Sequence, residues 1–361
     1  MGPRTDGPPP LKKMIIPALF VGGLFYVTFT RQPEQPQLII VTGEALGTTW
    51  ALKSAETPSD ARAAELKSTV ETALAEVDAS MSTYRDDSEL MALNRTDGLE
   101  PVVLSEGLGA VLAEAMDIGV VTHGAFDVTV GPLVDAWGFG PDKRMVAPSA
   151  ESLAEILPTI GSDKIEISEA GLTKAHPDLS IDLSAIAKGY AVDLIVDRLQ
   201  GIGANDILME VGGEIVARGK SPSGQVWRLG IETPSETGRE VFEVVGLSDE
   251  AMATSGDYRN FYEVDGERVS HLIDPRTAQP IAHRLASVTV ITERCSTADA
   301  WATALSVLGE DEGLKWLRHR GSRPTLLSGM PMEPSQPAAH RPFRASSSGG
   351  SSGLAGVIEH T

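Results

Sequence analysis

Residues 181–190 constrain this chain more than any other stretch, because an alternating apolar pattern that carries an acid changes directly into a helical pattern that carries a lysine. If the first part is a strand, Asp182 faces away from Ile181 and Leu183. A helix that starts beyond Ser184 presents free backbone N–H groups and the positive end of its dipole. This geometry suits a phosphate-bearing ligand. A Ser/Asp helix cap followed by a solvated lysine is the simpler alternative.

The acidic composition limits the class of partner. The chain has 361 residues and a formal net charge of −20, and no lysine or arginine run is present that could displace counterions from a phosphate backbone. Nucleic acid is therefore not expected as a partner. Cys295 is the only cysteine, which excludes an intramolecular disulfide, and we interpret it as a buried structural thiol.

The two ends of the chain differ in character from its middle. Arg4, Lys12 and Lys13 precede an apolar run at residues 14–30, after which a polar linker follows. No small-x-small cleavage site follows the run, which favours an uncleaved membrane anchor with the rest of the chain outside the cytoplasm; a cleaved signal peptide is the alternative. The C-terminal end is rich in Pro, Ser and Gly, which predicts disorder. The predicted divisions are an anchor and linker at 1–36, a folded domain at 37–328 and a disordered tail at 329–361.

Helical and strand patterns do not alternate regularly along the middle of the chain. Three-to-four spacing of apolar residues predicts a helix over 58–81 that opens at Pro58-Ser59-Asp60, and a second helix follows Ser105. Ser88 is a candidate helix cap, and a later helix, capped by Ser296 or Thr297, is predicted to end at Gly309. Asp265-Gly266, between two alternating segments, is a strong hairpin signal. Antiparallel pairing is therefore expected, which makes the fold class α+β rather than doubly wound α/β. Further strands are predicted at 165–167, 179–183, 207–211, 226–231 and 241–245.

Asp299 and Thr303 are candidate metal ligands. They lie four residues apart in a predicted helix, so both side chains face the same way. A carboxylate and a hydroxyl among small alanines can supply two hard oxygen ligands to Mg²⁺. An exposed aspartate beside a threonine that bonds to its own helix is the alternative.

Two other groups of side chains suit chemistry on a flat, charged ligand. His271, Asp274 and Arg276 lie close in sequence and combine groups for proton transfer and phosphate clamping, although a histidine at a strand end is often only hydrogen-bonded. Aromatic residues near flexible turns offer stacking surfaces for a heteroaromatic ring, and core packing explains them equally well. These aromatic residues are Tyr84, Phe126, Trp137 and Phe139.

Eight segments, in order between residues 43 and 327, together resemble the FAD:protein FMN transferase family, the ApbE-like flavin transferases. The resemblance implies a two-lobed α+β fold of antiparallel sheets and packed helices, with the flavin between the lobes. The segments are Leu46-Gly47-Thr48-Thr49-Trp50, 81–94, 125–140, 181–193, Val211-Gly212-Gly213-Glu214, 254–262, 271–277 and 298–305.

The resemblance also implies a reaction and its partners. FAD is the expected substrate and Mg²⁺ the expected cofactor, and the FMN half of FAD moves to a Thr or Ser hydroxyl of a partner flavoprotein with release of AMP. The expected acceptors are FMN-binding domains of membrane redox complexes, with this chain on the periplasmic side of the inner membrane. Alternatives are an FAD pyrophosphatase that yields FMN and AMP, and a non-catalytic flavin-binding or delivery protein.

Matched position by position, the resemblance implies roles for individual residues. His271 matches a position that the family is thought to use for catalysis, and Asp257 and Asp274 are rival bases. Two positions depart from the family, since Leu46 replaces a common Met and Ala278 replaces a usual Gly. The implied flavin-site residues are Leu46, Tyr84, Ala125, Phe126, Asp127, Asp182, Lys188 and Ile273, and the implied metal ligands are the carbonyl of Ala185 with Asp299 and Thr303.

Overall fold

The computed structural model describes most of the middle of the chain. The described residues are 37–140, 146–233, 241–256, 261–264, 267–283 and 285–319, with short strands at Leu327–Ser328, Pro342–Phe343 and Glu359–His360. The predicted anchor at 1–36 and most of the predicted tail lie outside these residues. Within the described ranges, none of the helices combines the length and apolar character that crossing a bilayer requires.

Antiparallel strands dominate the fold. A seven-stranded sheet has the order β1-β2-β5-β6-β9-β14-β15, and the other strands form two-stranded sheets, so the α+β prediction is confirmed. The described strands, in chain order, are β1 (Ile39–Ala45), β2 (Thr48–Ser54), β3 (Ile165–Ser168), β4 (Gly171–Lys174), β5 (Ile207–Val211), β6 (Glu214–Arg218), β7 (Trp227–Glu232), β8 (Val241–Leu247), β9 (Glu250–Gly256), β10 (Phe261–Val264), β11 (Glu267–Ser270), β12 (Ile273–Asp274), β13 (Gln279–Pro280), β14 (Ser287–Thr292), β15 (Leu327–Ser328), β16 (Pro342–Phe343) and β17 (Glu359–His360).

Three helices begin at the serine caps that the sequence predicts. Ser59 accepts a hydrogen bond from the backbone N–H of Arg62 at 3.2 Å, and Ser88 and Ser105 cap the next two helices in the same way. Gly309, with φ 70°, interrupts the last helix where the sequence predicts an end. The α-helices are α1 (Asp60–Met81), α2 (Glu89–Asn94), α3 (Glu106–Val121), α4 (Gly131–Ala136), α5 (Ala150–Ile156), α6 (Ala187–Gly201) and α7 (Cys295–His319).

Three apolar cores organise the described part of the chain. The largest lies between one face of the seven-stranded sheet and helices α1, α3, α6 and α7, and it includes the buried Cys295. A second lies on the other face of the sheet, under the β7–β8 hairpin. A smaller third core gathers α4, α5 and β10–β13 into a lobe of its own. Its buried members are Leu133, Trp137, Ile160, Val269, Ile273 and Ala278.

Residues 179–183 form no strand, contrary to the prediction. The burial of this segment does alternate as a strand's would, with Ile181 and Leu183 fully buried and Asp182 partly exposed. Its backbone, however, pairs with a side chain, because the amide of Asn94 donates to the carbonyl of Ile181 at 2.9 Å and accepts from its N–H at 2.8 Å. The buried ammonium of Lys174 also donates to the carbonyl of Leu179 at 3.1 Å.

Candidate active site

Asp182 closes a turn ahead of α6. Its Oδ1 accepts hydrogen bonds from the backbone N–H and the hydroxyl of Ser184, and its own N–H donates to the carbonyl of Val128 at 2.7 Å. The helix starts at Ala187, two residues later than expected, and its N-cap, Ile186, offers no capping side chain. The Ser/Asp pair therefore shapes the approach to the helix without capping it.

The N-terminus of α6 contacts a carboxylate of the protein itself, and the phosphate-bearing ligand expected at this junction stays a prediction. The carboxylate of Asp299 on α7 accepts a hydrogen bond from the backbone N–H of Gly189 at 3.0 Å. This bond is possible because Gly189 lets α6 approach α7 closely. A Cβ atom at Gly189 would lie 2.3 Å from the carbonyl oxygen of Cys295.

Lys188 is not a solvated lysine, because it donates a hydrogen bond to Oε1 of Glu214. Glu214 is 3% exposed and Asp299 is 6% exposed. Burial lowers the pKa of Lys188, but the charges of Asp299 and Glu214 outweigh that effect and hold the pKa above its ordinary value. The ammonium therefore stays charged.

The buried group carries one cation against two carboxylates. Burial raises the pKa of Glu214 to about 7, an effect that Lys188 opposes and Asp299 strengthens. Burial also raises the pKa of Asp299, against the effects of Lys188 and the N–H of Gly189. Oε2 of Glu214 is buried and has no hydrogen-bond partner. A further positive charge would therefore stabilise this cluster.

The register of α6 against α7 indicates where the other predicted metal ligands lie. Asp193 accepts from the backbone N–H groups of Cys295 and Ser296 at 2.9 and 3.0 Å, and Gly189 contacts Asp299 one turn further along. The two helices are therefore antiparallel here, so Thr303, one turn beyond Asp299 on α7, lies towards the start of α6, which Ala185 precedes in the chain. Both residues are partly exposed.

The donor set fits Mg²⁺ better than a softer metal. Within the described residues, no three His, Cys, Asp or Glu side chains are grouped to hold a metal ion. The candidate ligands are instead one carboxylate, one hydroxyl and one carbonyl, from Asp299, Thr303 and Ala185. Mg²⁺ accepts such a sparse oxygen set because it keeps several waters.

Two tight turns, β1–β2 and β5–β6, lie next to each other at the same end of their strands. Leu46 and Gly47 join β1 to β2 with φ values of 51° and 72°, as in a type I′ turn. Gly212, in the β5–β6 turn that precedes Glu214, donates to the carbonyl of Thr49 at 3.0 Å. The backbone of Leu46 is in the left-handed region, which is strained for a residue with a side chain. Backbone strain of this kind is concentrated at functional sites.

The other predicted flavin residues differ in their surroundings. Tyr84 is 73% exposed, so packing in a core does not explain it, and its ring is open to a stacking partner. Ala125 and Phe126 are buried, and Phe126 belongs to the largest core. Both oxygens of Asp127 are occupied, because they accept hydrogen bonds from Thr129 and Ser162 at 2.6–2.9 Å.

Two of the predicted catalytic residues, His271 and Asp274, lie at the smaller lobe. His271 is partly exposed, with its ring centre 6.2 Å from that of Phe139 in an edge-on arrangement. Asp274 is bound by the guanidinium of Arg276, which also donates to Glu312 on α7. Ile273 is buried in the third core, and Asp257 lies outside the described residues.

Sequence reasoning assigned no role to three residues whose side chains make long-range hydrogen bonds around the site: Asn94, Asp193 and Glu214. Glu214 belongs to the segment Val211-Gly212-Gly213-Glu214, in which a carboxylate begins a strand directly after a two-glycine turn. That position was the sequence signal that could have identified Glu214 as a site residue. Asp193 and Asn94 act on backbone groups far away in sequence, which no local pattern reveals.

Replacing Asn94 with alanine is expected to raise the KM for the substrate, which the resemblance implies is a flavin, several-fold while changing kcat little, because the segment that carries Asp182 loses both of its bonds to the Asn94 side chain. Each buried backbone group left unpaired costs about 1–3 kcal/mol. Steady-state kinetics and thermal unfolding would measure both effects. Asn205→Ala is the matched control, since within the described part of the chain that exposed amide donates to the nearby carbonyl of Gly203. A fall in kcat with an unchanged KM would contradict the proposed link.

Solved flavin transferases share this fold. Flavin transferase ApbE from Vibrio cholerae matches with a TM-score of 0.72 at 42% identity, over 78% of this chain and 91% of that one. The apo form of Pseudomonas stutzeri flavinyl transferase ApbE matches with a TM-score of 0.73 at 36% identity, over 80% and 90%. The shared fold therefore places the chain in the class of flavin transferases.

The sequence comparison gives the family. The model of the ApbE family matches residues 46–326. An FAD:protein FMN transferase from Vibrio cholerae is 44% identical over 283 residues, which cover 78% of this chain and 85% of the relative. One from Haemophilus influenzae is 43% identical over 290 residues, covering 78% and 84%. The chain belongs to the ApbE family, and the resemblance read from its sequence is confirmed.

Proposed function

We propose that this protein transfers the FMN half of FAD to a Thr or Ser hydroxyl of a partner flavoprotein and releases AMP, with Mg²⁺ as its cofactor. The observation that carries the proposal is the group formed where α6 begins by the partly exposed Lys188 and the buried Glu214 and Asp299, in a chain whose relatives bear the name FAD:protein FMN transferase. When both carboxylates are ionised, the group has one negative charge in excess and does not attract a pyrophosphate by itself. A divalent cation makes the site fit that ligand.

Asp299, Thr303 and the carbonyl of Ala185 would hold the Mg²⁺ ion. When bound, the ion neutralises and orients the pyrophosphate. Lys188 remains positively charged at neutral pH and lies at the same helix end. Asp182, beside the first residue of α4, and the exposed ring of Tyr84 are the proposed contacts for the rest of the dinucleotide.

The chemical step exchanges one P–O bond for another. The acceptor hydroxyl oxygen bonds to the phosphorus of the FMN half, and the bond to the AMP oxygen breaks. The proton of the hydroxyl passes to a base, for which we propose His271. Among its two rivals, Asp274 already accepts hydrogen bonds from the guanidinium of Arg276 on both carboxylate oxygens.

We further propose that residues 1–36 anchor the protein in the inner membrane, with the folded domain in the periplasm. The support is the basic start, the apolar run at 14–30 and the linker that follows. In that location the acceptors are FMN-binding domains of membrane redox complexes.

Mass spectrometry tests the proposed reaction. The full chain is incubated with FAD, Mg²⁺ and an FMN-binding domain, and the domain is expected to gain the mass of one FMN. The same domain with its acceptor Thr replaced by Ala is the control and is expected to gain none. FMN and AMP formed without any acceptor would identify a pyrophosphatase. Flavin binding without turnover would identify a delivery protein, and either result would reject the proposal.

A further inference from the structure

Lys188 lies near two carboxylates but is bonded to one of them. Its ammonium donates to Oε1 of Glu214, whereas Asp299 acts on it as a nearby charge. Asp299 is held from another side by the N–H of Gly189 at 3.0 Å. The position of the Lys188 ammonium therefore determines which carboxylate it neutralises and which carboxylate can still bind a cation.

The backbone fixes Glu214 and leaves the lysine adjustable. Glu214 is the first residue of β6, paired with Val211 across a two-glycine turn, and that turn is bound to Thr49 on β2. Lys188 has a flexible four-carbon side chain on the first turn of α6. Without the charge of Glu214, the attraction of Asp299 for the ammonium would be unopposed, and the lysine would turn to Asp299.

The burial of Glu214 indicates that its carboxylate has a role other than stability. Oε2 is buried and unpaired, although most buried polar atoms in proteins are hydrogen-bonded. A buried carboxylate with one unsatisfied oxygen destabilises the fold unless it interacts with something that the protein needs in place. Its one bonded partner among the described side chains is Lys188.

We propose that Glu214 is a positioning residue, which holds the ammonium of Lys188 away from Asp299 and so leaves Asp299 free to bind a divalent cation. This inference rests on the proposed function, because it concerns the same Mg²⁺ site. It assigns to Glu214 a contribution to metal affinity that acts through the lysine.

A double-mutant cycle read by metal binding tests the proposal. Calorimetric titration of Mg²⁺ into the full chain without flavin is carried out on the parent, Glu214→Gln, Lys188→Met and the double variant. Glu214→Gln is expected to weaken Mg²⁺ binding ~10-fold in the parent, as loss of an outer residue at a metal site often does. In the Lys188→Met background, the same change is expected to weaken binding less than ~2-fold, because no lysine remains to occupy Asp299.

Simple charge summation gives a different result, which would overturn the proposal. If Glu214 acts only through its negative charge, Glu214→Gln weakens binding equally in both backgrounds. Glu214→Asp provides a second readout should the glutamine variant fail to fold. This variant keeps the charge but moves the carboxylate away from the lysine. The proposal therefore expects weaker Mg²⁺ binding, whereas charge summation expects unchanged Mg²⁺ binding.

Failure of the metal site itself is recognisable separately. Asp299→Ala is expected to abolish the Mg²⁺ titration. If the parent binds no Mg²⁺, or if Asp299→Ala binds Mg²⁺ as tightly as the parent, the proposed metal site is wrong and the proposed role of Glu214 is also rejected. If Asp299→Ala abolishes binding but the cycle is additive, only the role of Glu214 is rejected.

Discussion

Replacing Asp299 with asparagine is expected to slow FMN transfer by about 10²–10³-fold, a typical loss when one preorganised electrostatic group is removed from an active site. The amide keeps the shape of the side chain, and its oxygen can still accept the N–H of Gly189. What is lost is the charge that balances Lys188 and attracts a cation. The rate of flavin attachment to an acceptor domain, measured at saturating FAD and rising Mg²⁺, would show the loss.

Asp193→Asn is the matched control for this change. Asp193 is 2% exposed and lies on α6. It accepts hydrogen bonds from two backbone N–H groups at the start of α7, so it joins the same two helices. Weakening these charge-assisted bonds is expected to cost about 1–3 kcal/mol of stability, with transfer close to the parent rate while the protein is folded. Equal losses of transfer in both variants would mean that the effect at Asp299 reflects helix packing rather than charge.

Local patterns predicted the parts of this fold that depend on neighbouring residues. Serine caps at Ser59, Ser88 and Ser105 marked helix starts, because a cap bond spans only three residues. The four-residue spacing of Asp299 and Thr303 places both on one helix, as expected. The Asp265-Gly266 signal agrees with the pairing of β10 and β11, although the two turn residues lie outside the described ranges.

Contacts between distant segments could not be read from such patterns. The alternation at 179–183 is typical of a strand, and the burial does alternate, but the hydrogen bonds go to the side chain of Asn94, 87 residues away from Ile181. Burial periodicity reports which side chains face the core and does not report what satisfies the backbone. The strand prediction failed at that step.

The candidate site shows the same division. Lys188 was identified from its place after a strand-like segment, whereas its partner Glu214 lies 26 residues away on another element. Asp127 was predicted at the flavin site from the resemblance, but its oxygens are bonded to Thr129 and Ser162. Its observed contacts organise the loop near the site. A family pattern gives the position of a residue and leaves its local bonding to be determined by the fold.

Replacing Gly189 with alanine is expected to damage both stability and transfer. The new Cβ would lie 2.3 Å from the carbonyl oxygen of Cys295 and 2.8 Å from Cα of Ser296, and both are backbone atoms that cannot rotate away. Helices α6 and α7 must therefore separate, at a cost of roughly 1–3 kcal/mol or more. A shift of about 1 Å at the N–H that binds Asp299 can slow a reaction on the order of 10²-fold.

Gly201→Ala, on the last residue of α6, separates this steric effect from the general effect of alanine in the helix. A Cβ atom at Gly201 meets no other atom within 4 Å, so alanine there is expected to stabilise the helix by about 0.5–1 kcal/mol without changing transfer. Thermal unfolding and transfer rates measured on both variants decide the matter. If Gly189→Ala unfolds and transfers like the parent, α6 and α7 do not approach as described, and the bond between Gly189 and Asp299 cannot be what positions the carboxylate.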